Sequence, residues 1–298
     1  MTPQLFLHVG PPKTATSSLQ DWCWKNREQL ARDGVVYPDV DPRADTPRHQ
    51  FLVSDLMSGD LTATMRSRQQ WLGPRVLLST EGLANHLYDF RPSALAAFRR
   101  ILSDFEVTVI LMARNSQDWI RSFHFQCVVN PSNPQFGNGT ALTCEDFSQL
   151  LKIRRLSWID GLREDLKAAY GPSRIETLDF AQGWEAQFLS ILGLSPSAYP
   201  AFSRANPTPP DWVIEALRRL NALNLAEDDR RAWQAAMQDC FATGSVMLRD
   251  AWGNTTETVW QRLDLALIDR LASVGGPPIE DGIWRRLAQH IAQRRTTS

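Results

Sequence analysis

The stretch Leu5-Phe-Leu-His-Val-Gly-Pro-Pro-Lys-Thr-Ala-Thr-Ser-Ser-Leu19 organises the sequence. Its apolar start has the length and bulk of a buried strand, which Gly10, Pro11 and Pro12 stop. Lys13 follows, with hydroxyls at Thr14, Thr16, Ser17 and Ser18. Leu19, Trp22, Cys23 and Leu30 then fall roughly on one face of a helix that Gly34 closes. Strand, tight loop and helix together present free backbone N–H groups and the positive end of a helix to an anion. The lysine adds a point charge and the hydroxyls add donors. The segment reads as a phosphate-binding loop.

The same alternation continues outward. Val35–Tyr37, Val76–Leu78, Val107–Met112 and Arg174–Phe180 read as strands. Helical patterns cover Phe51–Leu72, Leu95–Leu102, the residues after Asn115, Leu150–Tyr170 and Trp184–Leu192. Such alternation predicts an α/β fold, a central parallel sheet flanked by helices. Two polar stretches, Asp39–His49 and Val129–Thr143, read as loops. Between Pro196 and Pro210 five prolines interrupt the pattern, and beyond them only helical periodicity remains. The expected organisation is an α/β core over 1–195 and an all-helical C-terminal extension over 196–298 packed on it.

Composition narrows the function classes. With 298 residues, 43% hydrophobic and 22% charged, the chain suits an ordinary globular protein with one large domain or a domain and an extension. A formal net charge of −1 gives no electrostatic footprint for nucleic acid. Cys23, Cys127, Cys144 and Cys240 are scattered, without the close pairs of a zinc site or a disulfide framework. No apolar run is long enough for a transmembrane segment, and the start of the sequence lacks a secretory leader. A cytoplasmic protein with free thiols is expected.

Spacing sharpens the loop. A Walker loop requires Gly-x-x-x-x-Gly-Lys-Ser/Thr, whereas Lys13 stands three residues after Gly10 with no glycine directly before it. The order Pro-Lys-Thr-Ala-Thr-Ser-Ser resembles instead the 5′-phosphosulfate loop of sulfotransferases that use 3′-phosphoadenosine 5′-phosphosulfate (PAPS). Their pattern is Pro-Lys-x-Gly-Thr-Thr/Ser, so Ala15 occupies the usual glycine position. If that position needs positive φ the alanine is strained; if it is helical the alanine is harmless. Further along, Val109-Ile-Leu-Met-Ala-Arg-Asn-Ser-Gln-Asp-Trp-Ile-Arg-Ser-Phe-His-Phe125 resembles the family's 3′-phosphate segment, in which a strand ends in an arginine and a serine follows eight positions later. Arg114 and Ser122 have that separation. The resemblance covers about residues 3–195, and Ser-Thr-Glu-Gly-Leu83 looks most like bacterial members that act on carbohydrate. The family's C-terminal glycine-rich loop has no counterpart better than Gly275-Gly276.

The resemblance implies a P-loop-type sheet and in-line transfer of a sulfuryl group from PAPS to a hydroxyl of an acceptor, a carbohydrate or glycoconjugate, with no metal. It assigns Lys13 to the leaving phosphate, aided by Pro12, Thr14, Ala15, Thr16, Ser17 and Ser18, and Arg114 with Ser122 to the 3′-phosphate. For the proton of the acceptor, Glu81 is the favoured base because it follows a strand at the ligand-binding edge of an open sheet. His49 and His86 are the alternatives. His8 reads as a core histidine and His124 as a helix-packing one. Trp119 and Trp158, on amphipathic helices, read as core. The acceptor, a small molecule or glycan, would be read by the two polar loops and the C-terminal helices; nothing signals an oligomeric state. A nucleotide-dependent phosphotransferase is the alternative enzyme, requiring a displaced Walker loop and a magnesium carboxylate. A nucleotide-binding module without catalysis is the alternative class.

Overall fold

The computed structural model describes residues 2–39, 47–130, 133, 137–202, 210–223, 225–241, 260 and 263–297. They form two compact units: Met1–Trp119 with Leu151–Ala205, and Ile120–Leu150 with Asn206–Ser298.

The first unit is built on five strands: β1 (Gln4–His8), β2 (Val35–Val36), β3 (Arg75–Ser79), β4 (Glu106–Ala113) and β5 (Arg174–Asp179). Their order is β2-β3-β1-β4-β5 and every pair is parallel. The expected α/β architecture with a parallel central sheet is therefore present. β1, β3 and β4 are buried almost end to end, as a parallel sheet covered on both faces requires. β1 is central, with Leu5 opposite Val76 on one side and Val107 on the other. The chain leaves β1 toward β3's side and returns to β4 on the other, so the strand order reverses beside β1. Ligands of open parallel sheets enter at the carboxyl ends of the strands at such a point.

The helices around the sheet are shorter than the periodicity suggested. The first helical stretch divides into α1 (Thr16–Lys25) and α2 (Arg27–Arg32), with Asn26 between them donating its side-chain amide to Trp22 O at 2.8 Å. Phe51–Leu72 divides into α3 (Phe51–Ser58) and α4 (Thr62–Arg68), because Gly59 turns left-handed at φ +86°. Helices α5 (Gly82–Asn85) and α6 (Pro92–Leu102) follow β3. The segment Leu150–Tyr170 divides at Trp158, whose extended ψ of 91° separates the later helix Ile159–Tyr170 from Leu151–Ser157. Apolar side chains of α1, β1, β4 and Trp184–Ile191 share one core with Tyr199 and Phe202, and Trp22 stacks on Phe202 with ring centroids 4.4 Å apart.

Helix α7 (Ser116–Val129) starts in the first unit, where Asn115 Oδ1 caps it by accepting from Gln117 N at 3.0 Å. The second unit holds its later turns and α8 (Cys144–Gln149). The remaining helices of the first unit are α9 (Leu151–Ser157), α10 (Ile159–Tyr170) and α11 (Trp184–Ile191). After Pro210 the second unit continues with α12 (Asp211–Ala222), α13 (Glu227–Phe241), α14 (Ala266–Ser273) and α15 (Asp281–Thr297). Its core gathers Phe125, Val128, Leu217, Trp233, Leu271 and Leu287. Inside this unit a buried carboxylate, Glu215, accepts from Arg218 Nε at 2.7 Å and Arg219 Nε at 2.8 Å. Arg219 also donates to Ala272 O at 3.1 Å and Pro277 O at 2.7 Å, closing the C-terminal end of α14. Gly276 lies against this cluster: a Cβ there would stand 2.5 Å from Glu215 Oε1. Part of the helical periodicity expected beyond Pro210, over 242–259 and 261–262, falls outside the described residues.

Candidate functional site

The site grows from the turn between β1 and α1. Gly10, Lys13 and Ala15 adopt positive φ, at +72°, +65° and +60°, so the chain curls tightly before the helix begins at Thr16. Left-handed residues interspersed in a short turn are the means by which successive N–H groups are brought to one side in anion-binding nests. Ala15 is therefore the strained case, an alanine in a backbone conformation that glycine adopts without cost.

Side chains hold the curl from several directions. Thr14 Oγ1 donates to Pro11 O at 2.6 Å, so this hydroxyl shapes the loop. Trp119 Nε1 donates to Pro12 O at 2.7 Å, and Arg114 Nη1 donates to Lys13 O at 3.0 Å. Trp119 is buried, as expected. The Arg114 guanidinium also lies over the Phe180 ring, 5.0 Å from its centroid, which fixes the direction of its fork. Lys13 and Arg114 thus meet although 101 residues separate them. Burial and the neighbouring Arg114 charge pull the Lys13 ammonium down to about 8, while Glu81 acts in the opposite sense.

Glu81 follows β3 at the same sheet edge and packs on the loop: a Cβ on Gly10 would lie 2.8 Å from Glu81 Cβ. Its carboxylate accepts from Arg48 Nη1 at 3.0 Å and from Gln20 Nε2 at 3.2 Å. Arg48 Nη2 also donates to Ser17 Oγ at 2.9 Å, tying the loop hydroxyl, the carboxylate and the segment before α3 together. Ser18 is buried on α1.

Around this loop, three buried polar atoms have no hydrogen-bond partner among the described residues: His8 Nε2, Thr16 Oγ1 and Gln20 Oε1. Buried hydroxyls are nearly always paired. Thr16 Oγ1 is a donor lacking an acceptor three residues after the half-buried Lys13, and this fits an anionic group of the phosphate or sulfate kind.

The histidines serve other ends. Ser79 N donates to His49 Nδ1 at 3.0 Å, so the ring proton is on Nε2, which donates to Pro38 O at 3.2 Å. Both nitrogens are committed to backbone, and burial drives the ring down to about 4. His49 fastens its loop to β3 and has no nitrogen directed to a ligand. His86 lies at the end of α5, 3.1 Å from Asp89 Oδ2, which also accepts from Lys152 Nζ at 2.7 Å. His8 Nδ1 contacts Ser79 Oγ at 2.7 Å. In the second unit, Ser122 is buried on α7, and His124 on the same helix donates from Nε2 to Leu142 O at 2.9 Å. Trp158 departs from its reading as core, being 65% exposed.

Sequence reasoning missed Arg48, Gln20 and Phe180 as parts of this arrangement. Arg48 stood beside the candidate His49 and carried the only detectable signal, a cation in a loop expected to be functional.

Among the described residues, no group of three or more His, Cys, Asp or Glu side chains could hold a metal ion, and no helix is long and apolar enough to cross a membrane. No family model and no curated protein matches the sequence.

Proposed function

We propose that the chain is a sulfotransferase that moves the sulfuryl group of PAPS to a hydroxyl of a carbohydrate or glycoconjugate. The observation that carries this reading is the meeting of Lys13 and Arg114. The two residues through which the sequence resembles the sulfotransferase loop and 3′-phosphate segment converge on one loop, the guanidinium bonded to the lysine carbonyl. A second observation agrees with it: the loop is a left-handed curl ahead of α1, and the first residue of that helix, Thr16, carries an unsatisfied buried hydroxyl. On this reading the fold is of the P-loop type and the helices after Pro210 are an extension of it.

In the transfer, an acceptor oxygen forms a bond to sulfur as the bond from sulfur to the phosphate oxygen breaks, releasing 3′,5′-bisphosphoadenosine. Charge grows on the leaving phosphate, where Lys13, loop N–H groups and Thr16 Oγ1 are the donors at hand. Preorganised donors of this kind supply much of the rate enhancement in such reactions. Glu81 takes the acceptor's proton. Its carboxylate stands at the strand edge beside the loop, whereas His49 has both nitrogens occupied. Geometry within reach of the reacting proton decides between candidate bases before acidity does.

Calorimetric titration with 3′,5′-bisphosphoadenosine, and separately with ATP and magnesium, tests the reading. Micromolar binding of bisphosphoadenosine is expected, weakened by Lys13→Ala and by Arg114→Ala, the latter by about 2 kcal/mol as for a lost charged hydrogen bond. Preference for ATP with magnesium would favour a phosphotransferase. Bisphosphoadenosine binding without sulfate transfer to any acceptor would favour a binding module.

A further inference from the structure

A cleft in the first unit is lined by no residue of the β1–α1 loop. It has a volume of about 570 Å³ and is lined by Tyr88, Arg155, Trp158, Asp160, Gly161, Glu164 and Asp165. Its most unusual member is Trp158, a large aromatic side chain left 65% exposed. The ring is nonetheless seated. A Cβ on Gly161 would fall 2.3 Å from Trp158 Cε3 and 2.7 Å from Cδ2, so the indole rests directly on the backbone of the first turn of α10. Glycine inside a helix weakens it, and here its lack of a side chain provides the seat. Chain geometry at the α9–α10 break sets the ring on that seat.

Other lining side chains are held as well. Tyr88 Oη donates to Asp165 Oδ2 at 2.7 Å, and the Arg155 guanidinium covers the Tyr88 ring 4.9 Å from its centroid. Asp160 and Glu164 complete the rim. The lining therefore carries three carboxylates against one guanidinium, and an anionic ligand is disfavoured there.

An exposed, immobilised indole flanked by carboxylate acceptors matches one chemistry well. The apolar C–H face of a pyranose can lie on the ring while its hydroxyls or an amino group donate to the carboxylates. We infer that this cleft is a carbohydrate-binding site for neutral or amino sugars, with Trp158 as the stacking platform and Asp160 and Glu164 as acceptors. It recognises sugar without performing chemistry. Under the sulfotransferase reading it is a second contact for an extended acceptor. Tyr88 is seven residues after Glu81, a separation that even a fully extended chain limits to roughly 25 Å, and Gly82–Asn85 is helical.

The test uses the full chain on an array of immobilised neutral, amino and acidic oligosaccharides, followed by titration of the sugar that gives the strongest signal. The expected result is binding to neutral or amino glycans, weakened about tenfold or more by Trp158→Ala, since a lost stacking contact is of that order. Gly161→Ala should weaken it likewise by lifting the indole off its seat, with the fold retained by circular dichroism. Leu151→Ser, at an exposed position two turns earlier, should leave it unchanged. Binding to no glycan, binding to acidic glycans alone, or binding indifferent to Trp158→Ala would overturn the inference. So would a change of molecular mass in solution on Trp158→Ala, which would make the indole a contact between protein chains. Bisphosphoadenosine titration of the same preparation separates the two proposals, because Trp158→Ala should leave nucleotide binding intact.

Discussion

Gly10 and Glu81 touch backbone to side chain: a Cβ on Gly10 would sit 2.8 Å from Glu81 Cβ and 2.9 Å from its Cα. The loop and the carboxylate are therefore set by one contact, and Gly10 also holds φ +72°. Gly10→Ala adds left-handed strain of about 1–3 kcal/mol to that overlap. Thermal unfolding should show the loss of stability, and calorimetry a loss of bisphosphoadenosine affinity. An unchanged melting temperature would contradict the contact.

Ala15→Gly runs the opposite way. Alanine at φ +60° costs roughly 1–2 kcal/mol relative to a relaxed conformation. Glycine recovers this but gains freedom in the unfolded chain worth about 0.4–1 kcal/mol. A net stabilisation of up to about 1 kcal/mol is expected in urea denaturation. A destabilised variant would mean that the alanine methyl contributes packing that outweighs its strain.

Lys13 makes anion binding depend on pH. With its ammonium at about 8 instead of 10.5, the unliganded protein gives up this proton as pH rises through 8. A bound anion favours the charged form, so binding takes up a proton above that pH. Between about pH 6.5, above the second ionisation of the ligand's phosphates, and pH 7 bisphosphoadenosine affinity should be flat, and it should fall by about tenfold per unit above pH 8. Lys13→Ala should flatten the profile. The unfolded chain keeps its proton up to 10.5, so the unliganded protein gains stability from this group as pH rises from about 8 to 10.5.

Glu81→Gln keeps the shape of the side chain and removes its basicity. Sulfate transfer should fall by roughly 10²–10⁴, the usual worth of a general base, while bisphosphoadenosine affinity changes only a few-fold. Single-turnover rates and calorimetry on one preparation report the two quantities. Equal loss in both would move Glu81 from proton transfer to loop support.

His49 should make the fold acid-sensitive. Protonation at Nδ1 breaks the bond from Ser79 N, and burial already holds the ring down to about 4 against 6.5 in the unfolded chain. Its contribution is complete above pH 6.5 and is lost as pH falls toward 4, on the order of 3 kcal/mol in all. His8, held down to about 3 by burial, acts in the same direction. Urea unfolding at pH 7 and pH 5 should differ, and His49→Gln, which can accept and donate at similar places, should narrow the difference.

How far the sequence could be read differs between elements for physical reasons. β1, β3 and β4 were legible because strands buried on both faces are continuous apolar runs. The breaks at Asn26 and Trp158 were not, since apolar spacing continues across a one-residue interruption. Trp158 was misread for that reason: its place in an unbroken helix pointed to the core, and the break turns it to solvent. Lys13 and Arg114 could be singled out by residue type and order. Arg48, Gln20 and Trp119 could not be linked to the loop, because their partners lie 33, 61 and 107 residues away. The grouping of 120–150 with the residues after 205 likewise leaves no mark on linear periodicity.

The bonds from Arg219 to Ala272 O and Pro277 O have a consequence for how the protein is made. The first unit has all its strands once Asp179 has been synthesised, and its last residues are complete at Ala205. The second unit takes in 120–150 early; its Arg219 pairs with Glu215 on its own helix but gains the Pro277 carbonyl only when that residue has left the ribosome. One unit can fold during translation before the sequence of the other is complete, and fragments ending between α13 and α14 would keep the Glu215 pair but leave the Nη groups of Arg219 without their carbonyl acceptors.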